Sequence, residues 1–468
     1  MDTWGDLVAF PVRPRPALLV NDPDGVDQVL RRNAGAYSKQ TVQYDTLALL
    51  TGQGLLTAPT PLWRVRRRQL APAFHRRTLH GLLATVDAAA TAMVSSLLAA
   101  ATPPGTAPGT RDCATPVAVE DVLLAGTLDI VTGALFGAGL AGRSVGVAHA
   151  VVAGLDGVIG RATSPLRLPL SVPTPANRRL RRGLGELDAL VADLIDERAR
   201  GSGAGTGDLL DLLLTTVVDP VAVRDEVVTL VVAGHETVAS ALTWALWLLS
   251  GRPDVAAELA AEAAAVLDSG VPTLERLRGL RATRAVLDET LRLYPPSWLL
   301  TRRAVEPDVV AGVAVEPGTL MIMSPWTLHR RAAAWPDPDR FDPRRFLAAP
   351  TADQATAPAQ ATPAGQATAP DPTRRPDYVP FGSGPRLCIG RDFALLEATV
   401  LLARLAAALT FTRPPGTGLP RPRARVTVRP DRPLVLLLAP RAPGAAASPR
   451  AAASSQAIGR VTWSSSRS

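Results

Sequence analysis

Hydrophobic residues recur at helical spacing along most of the chain. Three long stretches, Val117 to Leu135, Pro175 to Arg200 and Pro220 to Ser250, have the length and periodicity of helices. Runs with strand character are short, as in Ala17 to Val20 and Leu320 to Met323. The pattern predicts a mostly α-helical (α+β) protein, with one large helical domain and a small β-rich region near the N-terminus.

The most apolar helical stretch, Val227 to Leu249, is long enough to cross a bilayer. His235 and Glu236 lie in its middle, where charge costs several kcal/mol on insertion, about 2.5–3.5 per residue. We therefore interpret it as a buried helix with a functional polar break and predict no membrane span. The first sixteen residues lack the apolar core and cleavage site of a signal peptide, so we expect a cytoplasmic protein.

Two segments cannot contribute to a hydrophobic core. Residues 351–373 consist largely of Ala, Thr and Pro, and residues 442–468 have a similar character. Such composition is typical of disordered chain. We expect one domain over residues 1–441, with a low-complexity insertion at 351–373 and a disordered tail from 442 to 468.

The formal net charge is +8, and a basic chain is also a candidate for nucleic-acid binding. Arginine supplies almost all of the positive charge throughout the chain, and Lys39 is the only lysine. We interpret the basicity as a compositional bias and predict no nucleic-acid partner, an alternative that a salt-dependent gel shift would reveal. One dense cluster can dock an acidic protein by electrostatic steering; its members are Arg64, Arg66, Arg67, Arg68, Arg76 and Arg77.

The two cysteines, Cys113 and Cys388, lie far apart in sequence, so no disulfide framework is indicated. Cys388 is flanked by glycines and precedes a helical run from Asp392 to Leu405. An iron-bound thiolate needs a stable, screened sulfur. Glycines allow backbone amides to approach that sulfur, and the helix start adds a positive dipole end. A buried structural cysteine is the alternative for a lone Cys in a glycine-rich turn.

The string from Phe381 to Gly390 resembles the Phe-x-x-Gly-x-Arg-x-Cys-x-Gly motif of the cytochrome P450 family at every fixed position. The resemblance, to soluble bacterial members, implies the cytochrome P450 fold with haem b as the cofactor. It also implies that Cys388 is the metal ligand, that Phe381 packs against the haem on the sulfur side, and that Arg386 pairs with a haem propionate.

A second motif is Glu289-Thr-Leu-Arg292, whose acid and base share one helix face. It resembles the Glu-x-x-Arg helix of the family, and Pro343-Arg-Arg345-Phe resembles the partner segment. The resemblance implies a buried three-residue network that holds the core on the haem side.

A third motif, Ala233-Gly234-His-Glu236-Thr237, lies inside the long apolar helix. Small residues at 233 and 234 would allow the helix to distort and leave space for O2. Thr237 and the preceding acid can relay the protons that O–O cleavage requires. The alternative is a Thr whose hydroxyl bonds its own i−4 carbonyl, and the resemblance to the family's Ala/Gly-Gly-x-Asp/Glu-Thr motif favours the catalytic interpretation.

Trp63 and Arg67 are spaced to share one helix face, which suits a carboxylate. They resemble the family's helix that contacts a haem propionate. A further propionate contact is expected at Arg302, with Arg303 as the competing assignment.

The resemblance implies a haem-dependent monooxygenase that inserts one oxygen atom from O2 into an apolar small molecule, with electrons from a separate ferredoxin and its reductase. We expect a terpene or a fatty-acid-like substrate, in a pocket built from Tyr37 to Gly54, Leu155 to Val172 and Trp298 to Leu300. Two alternatives are a peroxide-dependent peroxygenase, which usually has Arg and Pro in place of Glu236 and Thr237, and a haem-thiolate protein that binds without turnover.

Overall fold

The structure is a computed structural model that describes residues 5–11, 16–102, 115–137, 140, 142–164, 168–200, 208–217, 219–267, 270, 272–347, 373 and 375–441. The predicted insertion at 351–373 lies outside these residues except for Thr373. The predicted tail at 442–468 and Cys113 also lie outside them.

The described residues form fifteen α-helices, as the periodicity predicted for a mostly helical chain. They are α1 (Pro23–Asp27), α2 (Val42–Thr51), α3 (Thr60–Leu70), α4 (Arg76–Ala101), α5 (Val119–Phe136), α6 (Ser144–Ala162), α7 (Pro175–Ala199), α8 (Leu209–Thr216), α9 (Pro220–Ser250), α10 (Pro253–Leu267), α11 (Leu274–Leu277), α12 (Arg281–Leu293), α13 (Pro325–Leu328), α14 (Arg344–Leu347) and α15 (Arg391–Ala408).

Twelve short strands complete the described fold: β1 (Leu7–Phe10), β2 (Ala17–Val20), β3 (Tyr37–Ser38), β4 (Pro116–Ala118), β5 (Leu300–Ala304), β6 (Asp308–Val310), β7 (Val313–Val315), β8 (Leu320–Met323), β9 (Leu409–Thr412), β10 (Pro422–Ala424), β11 (Val428–Pro430) and β12 (Val435–Pro440). The main sheet has the order β1-β2-β8-β5-β3, and only β2 and β8 are parallel. A second sheet has the order β4-β12-β9, while β6-β7 and β10-β11 are antiparallel hairpins.

Helix α9 forms the centre of the helical core and has the predicted bounds. Asp219 caps it by accepting a hydrogen bond from the Val221 amide at 3.0 Å, and Pro220 occupies the first turn, where it loses no helical hydrogen bond. Trp244 stacks on Tyr294 with ring centroids 3.9 Å apart, which joins α9 to the end of α12.

Three helices, Arg77–Ala101, Ser144–Ala162 and Pro220–Ser250, are long and apolar enough to cross a bilayer by length and composition alone. In the Pro220–Ser250 helix, 83% of the most apolar window is buried inside the fold, so packing accounts for its composition. The share is 33% and 44% in the other two, and the expected absence of a membrane span stays a prediction.

The predicted Glu289 network is present in the core. Both Glu289 and Arg292 are fully buried, and they form two hydrogen bonds of 2.7 and 2.8 Å. Arg345 approaches the same carboxylate at 3.5 Å, and the Asp342 amide donates to it at 2.9 Å. Arg292 also donates to the carbonyl of His329 at 3.0 Å. The network therefore fixes the chain between α13 and α14 onto α12.

A second buried carboxylate, Glu226 of α9, holds the loop between α2 and α3. Its Oε2 accepts the Leu55 amide at 2.9 Å, and its Oε1 lies 3.6 Å from Nε of Arg66. Burial is the largest effect and raises the pKa of Glu226 to about 7, although the Leu55 amide and Arg66 lower it. The fold therefore holds this proton more tightly than the unfolded chain does.

Replacement of Glu226 by Gln is expected to remove part of the pH dependence of stability. A carboxyl whose pKa rises from 4.5 to about 7 on folding stabilises the fold at low pH, and this contribution is lost as pH rises through 7. Relative to Glu226→Gln, the free energy of unfolding of the wild type should fall by about 2 kcal/mol between about pH 5.5 and pH 8, measured by urea unfolding. Asp188→Asn, which removes an exposed acid, is the control, and parallel curves for Glu226→Gln and wild type would contradict the assignment.

Candidate active site

Residues 381–390 form a loop around Cys388, here called the Cys388 loop. A cavity of about 310 Å³ lies between this loop and the middle of α9. Its walls include Cys388 on one side and Ala233 and Thr237 on the other. The structure thus brings together the two motifs that the sequence separates by about 150 positions. Every site residue predicted from the sequence contributes to this wall: Trp63, Arg67, Ala233, Gly234, Glu236, Thr237, Arg302, Phe381, Arg386 and Cys388.

The Cys388 loop is a tight turn held by its own backbone. The Cys388 amide donates to the Phe381 carbonyl at 3.0 Å, and α15 begins three residues later. Gly384 has φ +68°, and a Cβ there would lie 1.9 Å from the Leu30 carbonyl oxygen. Glycine is therefore required at 384, because this loop packs directly on the backbone that follows α1.

Protein atoms enclose the Cys388 loop, but the side chain itself is open to the cavity. Burial raises the pKa of the thiol, and the Gly390 amide and the positive charges of Arg67, Arg391 and Lys39 oppose that effect. The surroundings therefore contain the donors and cations that stabilise a thiolate, although they do not by themselves outweigh desolvation.

Cys388 does not belong to a protein cluster of metal ligands among the described residues. Across the described ranges, no group of three or more His, Cys, Asp or Glu side chains is placed to hold a metal ion. A metal ion bound at this sulfur would take its other ligands from a non-protein group. A metalloporphyrin, which supplies four nitrogens in a plane, fits this donor set.

Three cationic side chains, which we call the cation cluster, meet at one edge of the cavity: Lys39, Arg302 and Arg386. None of them forms an ion pair with a carboxylate of the described residues. Burial is the largest effect on Lys39 and, with Arg302 and Arg386, holds its pKa well below the usual value. Burial likewise lowers the pKa of Arg386 to about 10, with Arg302 adding to the effect. Uncompensated charge of this kind indicates an anionic ligand, and the two propionates of a haem fit.

Trp63 and Arg67 approach the same region from α3, as their spacing predicted. The Arg386 guanidinium lies over the Trp63 ring at 4.0 Å, and Nη1 of Arg67 donates to the Leu387 carbonyl at 2.8 Å. Arg302 lines the cavity, whereas Arg303 points elsewhere and donates to the Gln40 and Gly318 carbonyls. The geometry therefore favours Arg302 over Arg303 as the contact to an anionic ligand.

The structure corrects the expected role of Gly234. Helix α9 continues as an α-helix through residues 233–237, so the expected distortion is not seen. A Cβ at Gly234 would lie 2.8 Å from Cγ2 of Val131, so its small size allows α5 to pack closely. Thr237 donates to the Ala233 carbonyl at 2.8 Å, which is the local bond that the sequence left as an alternative.

Glu236 lies one residue before Thr237 and is turned toward the β10-β11 hairpin. Its Oε1 accepts the Thr427 hydroxyl at 2.9 Å and lies 2.7 Å from Nη2 of Arg429. Glu236 also lines the cavity. The acid thus connects the cavity to a segment that the sequence did not associate with the site.

Lys39 and Glu397 are charged cavity residues that the sequence interpretation did not single out, although Lys39 lies in a segment predicted to form the pocket. Lys39 donates to the Leu56 carbonyl at 2.8 Å and lies 4.0 Å from the Tyr44 ring centre. Glu397 has no hydrogen-bond partner for either carboxylate oxygen, and burial raises its pKa well above the usual value. One signal was available for Lys39, because it is the only lysine among 50 Lys and Arg residues.

The predicted substrate pocket is only partly correct. Residues of the 37–54 segment and Leu300 line the cavity, but no described residue of 155–172 does. Trp298 instead packs toward the hairpin, where its Nε1 donates to the Arg425 carbonyl at 2.8 Å. The other cavity-wall residues are mainly apolar, including Leu47, Leu55, Leu56, Leu135, Leu230, Val232 and Val426.

The arginine cluster predicted to dock an acidic protein is divided by the fold. Arg66 is largely buried beside Glu226, so its expected role in docking is wrong. Arg67 is also half-buried and contacts the Cys388 loop. Arg64, Arg68 and Arg77 are exposed, and the side chain of Arg76 lies outside the description.

Comparison with known proteins gives a consistent result. The family model described as Cytochrome P450 matches residues 1–438. Cyclooctat-9-en-7-ol 5-monooxygenase of Streptomyces melanosporofaciens is 34% identical over 423 residues, which cover 89% of this chain and 84% of that protein. Cyclooctatin synthase of the same organism is 32% identical over 437 residues, 92% and 88% of the two chains. Pentalenene oxygenase of Streptomyces avermitilis is 32% identical over 462 residues, 95% and 92% of the two chains.

Removal of the Lys39 charge is expected to weaken retention of an anionic cofactor. A charge-assisted hydrogen bond contributes about 1.5–3 kcal/mol, so Lys39→Met should release haem at least about tenfold faster in a transfer assay with apomyoglobin. Lys39→Arg, which keeps the charge, should be closer to wild type. An amine-reactive reagent should modify Lys39 in the haem-free protein and not in the loaded protein. Equal haem release by Lys39→Met and wild type would exclude this role.

Proposed function

Because this chain belongs to the cytochrome P450 family and is a haem-dependent monooxygenase, we propose that its substrate is a neutral terpene. The observation that carries the proposal is the distribution of charge in the cavity. Among the described residues of the wall, the cationic side chains are Arg67 and the cation cluster, all on the side of the Cys388 loop.

This distribution favours a terpene over a fatty acid. A buried carboxylate needs a cation or several donors, because an unpaired charge in an apolar cavity is costly. If the cofactor carboxylates use both the cation cluster and Arg67, no further cationic side chain of the described wall is left for a fatty-acid carboxylate. A neutral hydrocarbon or alcohol needs only the apolar wall, which includes Leu55, Leu230 and Val426.

The similar proteins support the same substrate class. Two of them carry names that refer to cyclooctat-9-en-7-ol and pentalenene, and the alignments cover most of both chains. At identities of 32–34% these names do not specify the substrate of this chain, and we therefore propose the class alone.

We assign the cofactor site to the residues at the two sides of the cavity. When bound, haem supplies the activation of O2 with two electrons, so that one oxygen atom enters the substrate and the other leaves as water. Cys388 would bind the iron, and the cation cluster with Trp63 and Arg67 would hold the propionates. Phe381 would pack beside the sulfur, where it lines the cavity.

The distal side of the cavity would control water and protons. Ala233 leaves space beside α9, and the apolar wall excludes water from the reacting centre. Thr237 and Glu236 would carry protons into this space, since both line the cavity and each has an exchangeable or proton-accepting oxygen.

We further propose that a ferredoxin supplies the electrons and docks on the exposed face of α3. Arg64 and Arg68 are four residues apart and lie on that face. Their neighbour Arg67 donates to the carbonyl of Leu387, the residue before Cys388. A negatively charged donor at this face would lie close to the sulfur side of the site.

A spectral titration tests the substrate class. Terpenes should displace water from the iron and change the haem spin state, whereas fatty acids of similar size should not. Leu56→Trp, which fills the cavity, should weaken the terpene response at least about tenfold, since overpacking costs about 1–3 kcal/mol. Val309→Trp, at an exposed hairpin position, is the control. A response to fatty acids but not to terpenes would reject the proposal.

Charge reversal tests the docking face. Arg64→Glu with Arg68→Glu should slow reduction by a ferredoxin about tenfold at low ionic strength, and the difference should shrink as salt is added. Arg179→Glu with Arg182→Glu, two exposed arginines of α7, is the matched control. Equal reduction rates for the two double variants in stopped-flow measurements would place the donor elsewhere.

A further inference from the structure

The β10-β11 hairpin, which follows α15 in sequence, holds the carboxylate of Glu236 in α9. Oε1 of Glu236 accepts the Thr427 hydroxyl at 2.9 Å and lies 2.7 Å from Nη2 of Arg429. Glu236 is almost fully buried, and Thr427 is buried as well. Within the described part of the chain, no hydrogen bond engages Oε2 of Glu236. One oxygen of the carboxylate is therefore fixed while the other can still exchange a proton at the cavity.

The hairpin is attached to the rest of the fold through Val428 as well, so Arg429 and Thr427 do not simply follow the acid. The Val428 carbonyl accepts hydrogen bonds from Ser240 at 2.7 Å and from Trp244 at 3.1 Å. The Val428 amide donates to the Pro296 carbonyl at 3.2 Å. These bonds fix the backbone between the two residues that contact Glu236.

The same hairpin also forms part of the substrate wall. Val426 and Thr427 line the cavity, immediately before the residues attached to α9. A bound substrate that contacts Val426 would therefore contact the segment that holds Glu236. Residues 426–429 therefore include both a wall residue for the substrate and the side chains that contact Glu236.

The charged and titratable side chains around Glu236 include Arg429, Glu120 and His235. Nη2 of Arg429 forms an ion pair with the buried carboxylate of Glu236 and supplies its counter-charge. Glu120 of α5 is a second acid near Arg429, and His235 is the residue before Glu236 in α9; burial lowers the pKa of His235 and raises that of Glu120. Loss of Arg429 would leave Glu236 buried without its counter-charge and held by the Thr427 hydroxyl alone.

We propose that Arg429, assisted by Thr427, is a positioning residue for Glu236, and that the β10-β11 hairpin thereby controls proton delivery to the cavity. In this arrangement Glu236 takes up a proton from solvent and passes it to the Thr237 side, while Arg429 holds Oε1 and prevents the carboxylate from rotating. The inference rests on the family activity and is independent of the proposed terpene.

The test compares Arg429→Gln with Arg423→Gln, an exposed arginine on the opposing strand of the same hairpin. With haem-loaded protein and a surrogate ferredoxin, Arg429→Gln should release about three- to tenfold more hydrogen peroxide per NADPH consumed and show a larger solvent isotope effect, since proton delivery contributes about 10²–10⁴-fold to such reactions. Arg423→Gln should match wild type, and Arg429→Lys should recover part of the loss. The ratio is measured with any compound that the wild type oxidises with coupled turnover, terpene or not, so failure of the terpene proposal does not affect it.

A double-mutant comparison separates positioning from a structural role. In a Glu236→Gln background, Arg429→Gln should cause little further change, because the two residues act as one unit. The haem absorption and melting temperature of each variant report whether the fold is intact. The inference would be overturned if Arg429→Gln matches Arg423→Gln, or if it causes the same fold-change with and without Glu236.

Discussion

The buried ion pair between Glu289 and Arg292 is the constraint on which the cofactor side of the molecule depends. Arg292 donates to the carbonyls of His329 and Pro338, so the pair holds a long non-helical segment against α12. His329 then accepts the Val379 amide at 2.8 Å, just before the Cys388 loop begins. Removing one partner of such a pair costs about 3–5 kcal/mol, because the remaining charge stays buried. The position of Cys388 therefore depends on an interaction that does not touch the cavity.

Two buried carboxylates of the core have arginine partners, whereas the cations at the edge of the cavity have no carboxylate partner among the described residues. Glu289 is compensated by Arg292, and Glu236 by Arg429. The cation cluster has no carboxylate partner among the described residues. Three cations held together at a cavity without a carboxylate partner favour the binding of an anionic ligand. The unpaired cations thus indicate which side of the cavity binds the cofactor, independently of the Cys388 motif.

The sequence best predicted the features that depend on residues close together in the chain. The Phe381–Gly390 string, the Glu289-Arg292 pair and the bounds of α9 were all available from local pattern. The interpretation did not identify α4 and α6, whose many Ala and Gly residues give a weak apolar stripe. It also could not separate Arg66 from Arg64 and Arg68, because the burial of Arg66 depends on Glu226, 160 positions away. The partners of Glu236 were hidden for the same reason, since no local spacing links it to Arg429.

The β10-β11 hairpin pairs Arg423 with Arg429 and Ala424 with Val428, across a three-residue turn. Side chains alternate between the two faces of a strand, so a shift of one residue in this pairing would exchange the faces of Val428 and Arg429. The carbonyl that α9 holds and the cation beside Glu236 would then be lost together. Changes in the length of this turn are for that reason expected to be more disruptive than changes in its composition.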